Sequence, residues 1–241
     1  MGRLVLLLSL SVAVAAQAAE PRKTFNACLA EMVTLLGPPG DLLAETPSMD
    51  RNVATRAVHL TTARLSLGTP RRADMADLLP IFRHGPTVKF TWFDWGDDFW
   101  SLRRVGMRYE TFAEKALLGL RHDFMIRAHE GNVLVGRCAL YEGVGPGSWE
   151  FGITLHEPYW GRRYAAEVIE EIFRYVFVDL RGTEVRFRTE PEHEKMLKQY
   201  ERLGIPKVID EQDDNPEPPT YHRYHHFALS REAWCRTHRC P

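Results

Sequence analysis

The sequence predicts a single α/β domain: a mixed, mostly antiparallel twisted sheet flanked by helices. Three observations carry that reading. Short alternating apolar segments in the middle of the chain are joined by tight turns, which is the pattern of antiparallel hairpins. Two amphipathic helical stretches then alternate with strands, which gives βαβ units. The 241 residues are 44% hydrophobic and 26% charged, enough apolar material for one sizeable core.

The elements follow in order. Thr62 to Leu67 alternates and reads as a first strand, and Thr69-Pro70 opens a helix that runs to about Phe82. Residues 91 to 123 carry Trp92, Trp95 and Trp100, then Arg103-Arg104 and a helical piece around Phe112 to Leu118. Asp123 to Ala128 and Val133 to Leu140 are strands joined by a His129–Asn132 turn, and Gly143 to Gly147 is another turn. Trp149, Phe151, Ile153 and Leu155 lie on one face of a strand. Ala165, Val168, Ile169, Ile172, Phe173, Val176 and Phe177 form one helical stripe, with Glu170 and Arg174 spaced for an i,i+4 pair on the other face. Val185 to Thr189 is a strand. Pro191 starts a helix that turns Met196, Leu197, Tyr200 and Leu203 inward and stops at Gly204. Residues 210 to 220 are acidic and Pro-rich, the composition of an exposed loop, and Tyr221 to Leu229 closes the sheet.

The N-terminus reads as separate from this domain. Arg3 is followed by an apolar run from Leu4 to Ala16, then by Ala16-Gln17-Ala18 and the first acid at Glu20. That is the layout of a cleaved signal peptide over residues 1–19, and the run is too short for an ordinary bilayer-spanning helix. Residues 20–60, which contain Gly37-Pro38-Pro39-Gly40, form an extension; 61–234 form the domain and 235–241 a tail. A working leader places the chain in the secretory pathway or an organelle lumen; without one it is cytoplasmic. Cys138 reads as a packed free thiol, and Cys28 is a candidate to pair with Cys235 or Cys240. The formal net charge of −1 gives no bulk support for nucleic-acid binding. The Tyr221–His226 stretch, with His222, His225 and His226, lacks the accompanying ligands of a metal centre, so no metal is expected.

The chemistry concentrates between Glu150 and Glu167. A strand ends, the chain turns through Gly161, and a long helix begins. Free amides and the positive end of the helix dipole converge there, and Arg162 and Arg163 add two charges, so the junction suits a pyrophosphate.

This stretch resembles the acetyl-CoA motif of GNAT acetyltransferases, in the branch similar to ribosomal-protein alanine N-acetyltransferases. Glu150, Gly152, Leu155, Tyr159, Gly161, Tyr164, Ala165 and Glu167 fall in register with it. Arg188 to Gly204 resembles the family's second helix, Thr62 to Leu67 its opening strand and Phe227 to Trp234 its ending. The resemblance implies a GNAT-like domain that takes acetyl-CoA as co-substrate and transfers acetyl to a primary amine, on a peptide N-terminus or a small molecule, by direct attack. It implies that Ile153, Thr154 and Leu155 hold the pantetheine arm. The pyrophosphate falls to Trp160, Gly161, Arg162, Arg163, Tyr164 and Ala165. Tyr200 corresponds to the tyrosine that protonates or contacts the leaving thiolate, and Glu150 is the candidate base. His193 stands at the family's Asn position. Trp160 replaces an Arg or Gln, and Arg163 replaces a Gly whose loss crowds the site. These departures keep open an alternative, a catalytically degenerate domain that binds acyl-CoA or a protein partner. The Trp92, Trp95, Trp100 cluster with Asp94, Asp97 and Asp98 lies where the family builds its acceptor side.

Overall fold

The fold is that of a computed structural model, which describes residues 57–89, 91, 101, 104–106, 109, 116, 121–143, 145–212, 223–238 and 240. Expectations for the leader, Cys28, the Trp92–Trp100 cluster, residues 112–115 and 117–118, His222 and most of the acidic loop lie outside these residues. The strands are β1 (His59–Thr61), β2 (Leu65–Gly68), β3 (Arg121–Ala128), β4 (Val133–Glu142), β5 (Ser148–Leu155), β6 (Glu184–Thr189), β7 (Lys207–Gln212) and β8 (Arg223–Ser230). The helices are α1 (Asp74–Arg83), α2 (Gly85–Val88), α3 (Tyr164–Arg174), α4 (Glu194–Arg202) and α5 (Arg231–Cys235). The strands form one sheet in the order β1-β2-β3-β4-β5-β6-β8-β7. Every described neighbour pair is antiparallel except β5–β6, which is parallel. A parallel pair needs a crossover, and α3 supplies it. This is the mixed, mostly antiparallel sheet that the alternating segments predict.

Alternation along the strands sorts the two faces. Phe124, Ile126, Cys138, Leu140, Phe151, Val185, Phe187 and Phe227 point to the face covered by Val168, Ile169, Ile172 and Phe173 of α3. The opposite face receives Met75, Leu78, Ile81 and Phe82 of α1 against Met125 and Leu134. Cys138 is a fully buried free thiol, as its place in an apolar strand predicts.

Several local expectations change. Thr62 to Leu67 is not one strand. Thr62 accepts the Leu65 amide on its hydroxyl at 2.9 Å, and the chain turns there, making a β1–β2 hairpin. Thr69-Pro70 does not open a helix; α1 starts at Asp74, whose carboxylate accepts the Arg71 amide at 2.7 Å. The helix after Pro191 likewise starts later, at Glu194. Residues 210–212 belong to β7, not to a loop, because they pair with His225, Tyr224 and Arg223 of β8. Arg174 does not pair with Glu170. The chain continues past α3 in a π-helical turn, Tyr175–Asp179, which brings Asp179 beneath the guanidinium. Arg174 then forks between Glu171 at 2.8 Å and Asp179 at 2.9 Å. Cys235 and Cys240 bridge each other, with Cα atoms 5.5 Å apart, which leaves neither thiol for the expected pairing with Cys28.

One backbone position fixes the sheet near the candidate site. The β3–β4 register passes from Ile126–Gly136 to Arg127–Leu134, so Val135 is a bulge residue. The next residue, Gly136, faces Leu155 of β5, and a Cβ there would lie 2.3 Å from the Thr154 carbonyl oxygen. Backbone cannot retreat as a flexible side chain can. Gly136→Ala is therefore expected to cost about 3 kcal/mol, a fall in Tm on the order of 10 °C. A thermal melt indistinguishable from the unsubstituted chain would show that β4 and β5 separate freely.

Candidate active site

β5 and β6 pair over three residues only, Ser148–Glu184, Trp149–Val185 and Glu150–Arg186. β5 then follows β4 to Leu155 while β6 follows β8 to Thr189, so the two strands splay. The β6-facing backbone groups of β5 are left without a strand partner. Their identity follows from alternation. The His156 amide donates across to Val135 of β4 at 2.8 Å, whereas the Leu155 carbonyl faces the gap and accepts the Trp160 indole Nε1–H at 2.7 Å. Ile153, two residues earlier, shares the orientation of Leu155. Thr154 faces β4 with its backbone instead. Of the three expected pantetheine contacts, Ile153 and Leu155 thus turn their backbone to the splay, while Thr154 does not.

Beyond β5 the chain makes a 3₁₀ turn, Glu157–Tyr159, passes Gly161 at φ +77° and Arg163 at φ +64°, and enters α3. No side chain caps this helix. The amides of Gly161, Arg162, Arg163, Tyr164, Ala165 and Ala166 meet no acceptor among the described residues, and the first helical bond is Glu167 N–H to the Arg163 carbonyl at 3.3 Å. A buried pocket is not required for the consequence. Successive unpaired amides at the positive end of a helix form an anion cradle. The expectation that Arg163 crowds this turn is met differently. Its backbone takes the left-handed conformation a glycine would adopt, and the residue as a whole is exposed. The exposed guanidinium of Arg162 lies 5.3 Å from the centre of the Tyr159 ring. Left-handed backbone is unfavourable for a residue with a Cβ, so Arg163→Gly is expected to stabilise the fold by about 0.5–1 kcal/mol, read as a higher Tm. A lower Tm would mean that the arginine side chain holds the turn.

The far side of the splay is the start of α4. Tyr200 is buried, its ring 4.6 Å from that of Phe187 and 4.7 Å from that of Phe227. Burial pushes its hydroxyl well above the usual tyrosine range, so it is protonated at neutral pH. His193 precedes α4, with Nδ1 3.4 Å from the Thr189 hydroxyl. Burial, and secondarily Lys195, depress its pKa to about 4, so the imidazole is neutral at pH 7 and brings no charge to a phosphate. Trp160 bridges the two sides: its indole holds the Leu155 carbonyl, sits 6.3 Å from the His193 ring and lies beneath Lys195 Nζ at 5.0 Å.

Glu150 is exposed on the sheet face opposite the main core, between Tyr141 of β4 and Arg186 of β6. On that same face sits a charged network that sequence reasoning missed. Asp123 accepts from Arg121 Nη2 and Arg137 Nη2, both at 2.7 Å, and all three are buried. Arg121 also stacks 4.2 Å from the Tyr141 ring centre. The available signal was an Arg and an Asp two residues apart in β3, with another Arg opposite, inside the apolar stretch Val133–Leu140 of β4. Among the described residues no group of His, Cys, Asp and Glu could hold a metal ion.

A mixed sheet whose parallel pair splays beside an uncapped helix start offers a cleft lined by backbone groups, the frame of a nucleotide-binding transferase domain. Comparison places it by name: residues 64–205 match the Acetyltransferase (GNAT) domain, and the chain belongs to that family. No curated protein matches the sequence. Solved structures share the fold at low identity. RimL, a ribosomal L7/L12 alpha-N-protein acetyltransferase in complex with coenzyme A, is 11% identical with a TM-score of 0.64, over 73% of this chain and 99% of that one. The ribosomal-protein-S5-alanine acetyltransferase from Vibrio fischeri is 12% identical, with a TM-score of 0.62 over 73% and 98% of the chains. The spermidine N-acetyltransferase from Vibrio cholerae, in complex with CoA and spermine, is 17% identical, with a TM-score of 0.60 over 70% and 97%.

Proposed function

We propose that the chain binds acetyl-CoA and transfers the acetyl group to a primary amine, on a peptide N-terminus or a small molecule, by direct attack. The observation that carries this is the run of unpaired amides from Gly161 to Ala166 at the end of a strand released from its neighbour. In this reading the amides and Arg162 hold the diphosphate, and the Ile153 backbone holds the pantetheine arm. The amine nitrogen attacks the thioester carbonyl, the C–S bond breaks, and the acetyl group ends on nitrogen. Tyr200, protonated at neutral pH like an ordinary tyrosine, gives its proton to the departing thiolate. Glu150 takes the proton lost by the ammonium, directly or through water, and the second proton that the nitrogen sheds on forming the amide returns to the Tyr200 phenolate. The structural relatives that act on protein N-termini and on spermidine support an amine acceptor as a class.

One observation favours a second reading, a domain that binds an acyl-CoA or a protein partner without turnover. The Trp160 indole already satisfies the Leu155 carbonyl, a group the pantetheine would otherwise use. Calorimetric titration with acetyl-CoA and a thiol-release assay over a panel of amines separate the two. Heat without thiol release selects the second reading, and no heat at all overturns both.

We also propose that the chain works in the secretory pathway or an organelle lumen. The leader-like residues 1–19 and the Cys235–Cys240 bridge, a bond of oxidising compartments, support this. Among the described residues no helix is long and apolar enough to cross a membrane. Mass spectrometry of the mature chain tests the location; retention of Met1 overturns it.

A further inference from the structure

We infer that Arg64 and Glu167 act together as positioning residues for the amide turn, holding it open for the diphosphate; the inference rests on the acetyl-CoA reading above. The contact joins segments more than a hundred residues apart in sequence. Glu167, in the first turn of α3, accepts the Arg64 amide at 2.8 Å on Oε1 and Arg64 Nε at 2.9 Å on Oε2. Arg64 Nη2 lies 2.8 Å from the same Oε2, and the Thr62 hydroxyl donates to Oε1. The Arg64 guanidinium also lies over the ring of Tyr164, 4.8 Å from its centre, and Tyr164 is buried. Tyr164 and Glu167 bracket Ala165 and Ala166, whose amides are part of the unpaired run. The β1–β2 hairpin therefore grips the helical end of the turn that the diphosphate would occupy.

That turn needs a grip. It contains a left-handed arginine, has no capping side chain, and directs like-oriented amide dipoles into one space. A helix start with these features frays unless tertiary contacts fix it. Fixing it in advance removes an ordering cost from ligand binding. The ion pair also has an electrostatic role. Burial opposes ionisation of Glu167, but the bonds from Thr62 and Arg64 outweigh it and hold the carboxyl below its usual value. The carboxylate is thus charged at neutral pH and stands beside an anion site. Arg64 compensates it. Without Arg64, the same carboxylate would repel the diphosphate.

Neither residue touches the ligand in this account, so the test separates positioning from plain stability. The Arg64 side chain is 49% exposed, and in Arg64→Ala the backbone amide of residue 64 and the Thr62 hydroxyl still hold Glu167. In the full chain, Arg64→Ala is expected to weaken CoA binding by about tenfold, measured by calorimetric titration. The Tm should change little, and binding of pantetheine, which lacks the diphosphate, should not change. Arg64→Ala combined with Glu167→Gln should bind CoA better than Arg64→Ala alone, because the uncompensated carboxylate is gone. Equal loss for CoA and pantetheine, or CoA affinity unaltered in Arg64→Ala, overturns the positioning role while leaving the acetyl-CoA reading intact. Absence of CoA binding by the unsubstituted chain overturns that reading itself, and the positioning role with it.

Discussion

Tyr200→Phe is expected to lower kcat for acetyl transfer by about 100-fold while changing the KM for acetyl-CoA little. The substitution removes one hydroxyl and keeps the ring that packs between Phe187 and Phe227. That hydroxyl takes no hydrogen bond among the described residues, so its loss leaves no partner stranded in the core. A stability effect is accordingly small, and turnover carries the signal. The sign also follows from the chemistry of the side chain. A phenol carries a proton that it can give to a thiolate, whereas phenylalanine leaves the thiolate to find one from water. Initial rates with acetyl-CoA and a responsive amine decide the matter. A kcat equal to that of the unsubstituted chain would return Tyr200 to the role of core aromatic.

The largest stability effect is expected at Asp123. It is the shared carboxylate of two buried guanidinium groups, Arg121 and Arg137. Asp123→Asn keeps the shape but removes the charge that compensates both. Breaking a buried pair from one side costs about 3–5 kcal/mol, because the remaining charge stays where water cannot solvate it. Chemical denaturation should show the loss directly. A variant that also replaces Arg137 with Leu should recover part of it, since one stranded cation goes with the carboxylate. Asp123→Asn with an unaltered midpoint would mean that the network is solvated and contributes nothing.

The strands and helices legible in the sequence are those with a strong period. Trp149, Phe151, Ile153 and Leu155 alternate so cleanly that β5 and its buried face follow from spacing alone, and the α3 stripe does the same at helical period. The first strand misled because Thr62 to Leu67 alternates across a hairpin turn: the Thr62 hydroxyl closes that turn, and alternation does not reveal where a chain reverses. β7 was hidden by its acidic, Pro-rich continuation. It is an edge strand, and its pairing with β8 is decided by the neighbour, not by its own composition. The i,i+4 spacing of Glu170 and Arg174 was real but lost to a π turn that brought Asp179 closer.

By itself the sequence determined the fold class, the order of strands around the crossover helix, and the strand–turn–helix junction whose first amides lack helical partners. These depend on local period, turn chemistry and helix-end amides, all written in contiguous residues. Only the tertiary structure decided the rest. It showed that β5 parts from β6 after Glu150, that alternation turns Ile153 but not Thr154 to the gap, and that Trp160 reaches back to Leu155. It also brought Arg64 to Glu167 and both arginines to Asp123. Such contacts join residues distant in sequence, and their geometry is set by how the sheet twists and packs, which no local pattern encodes.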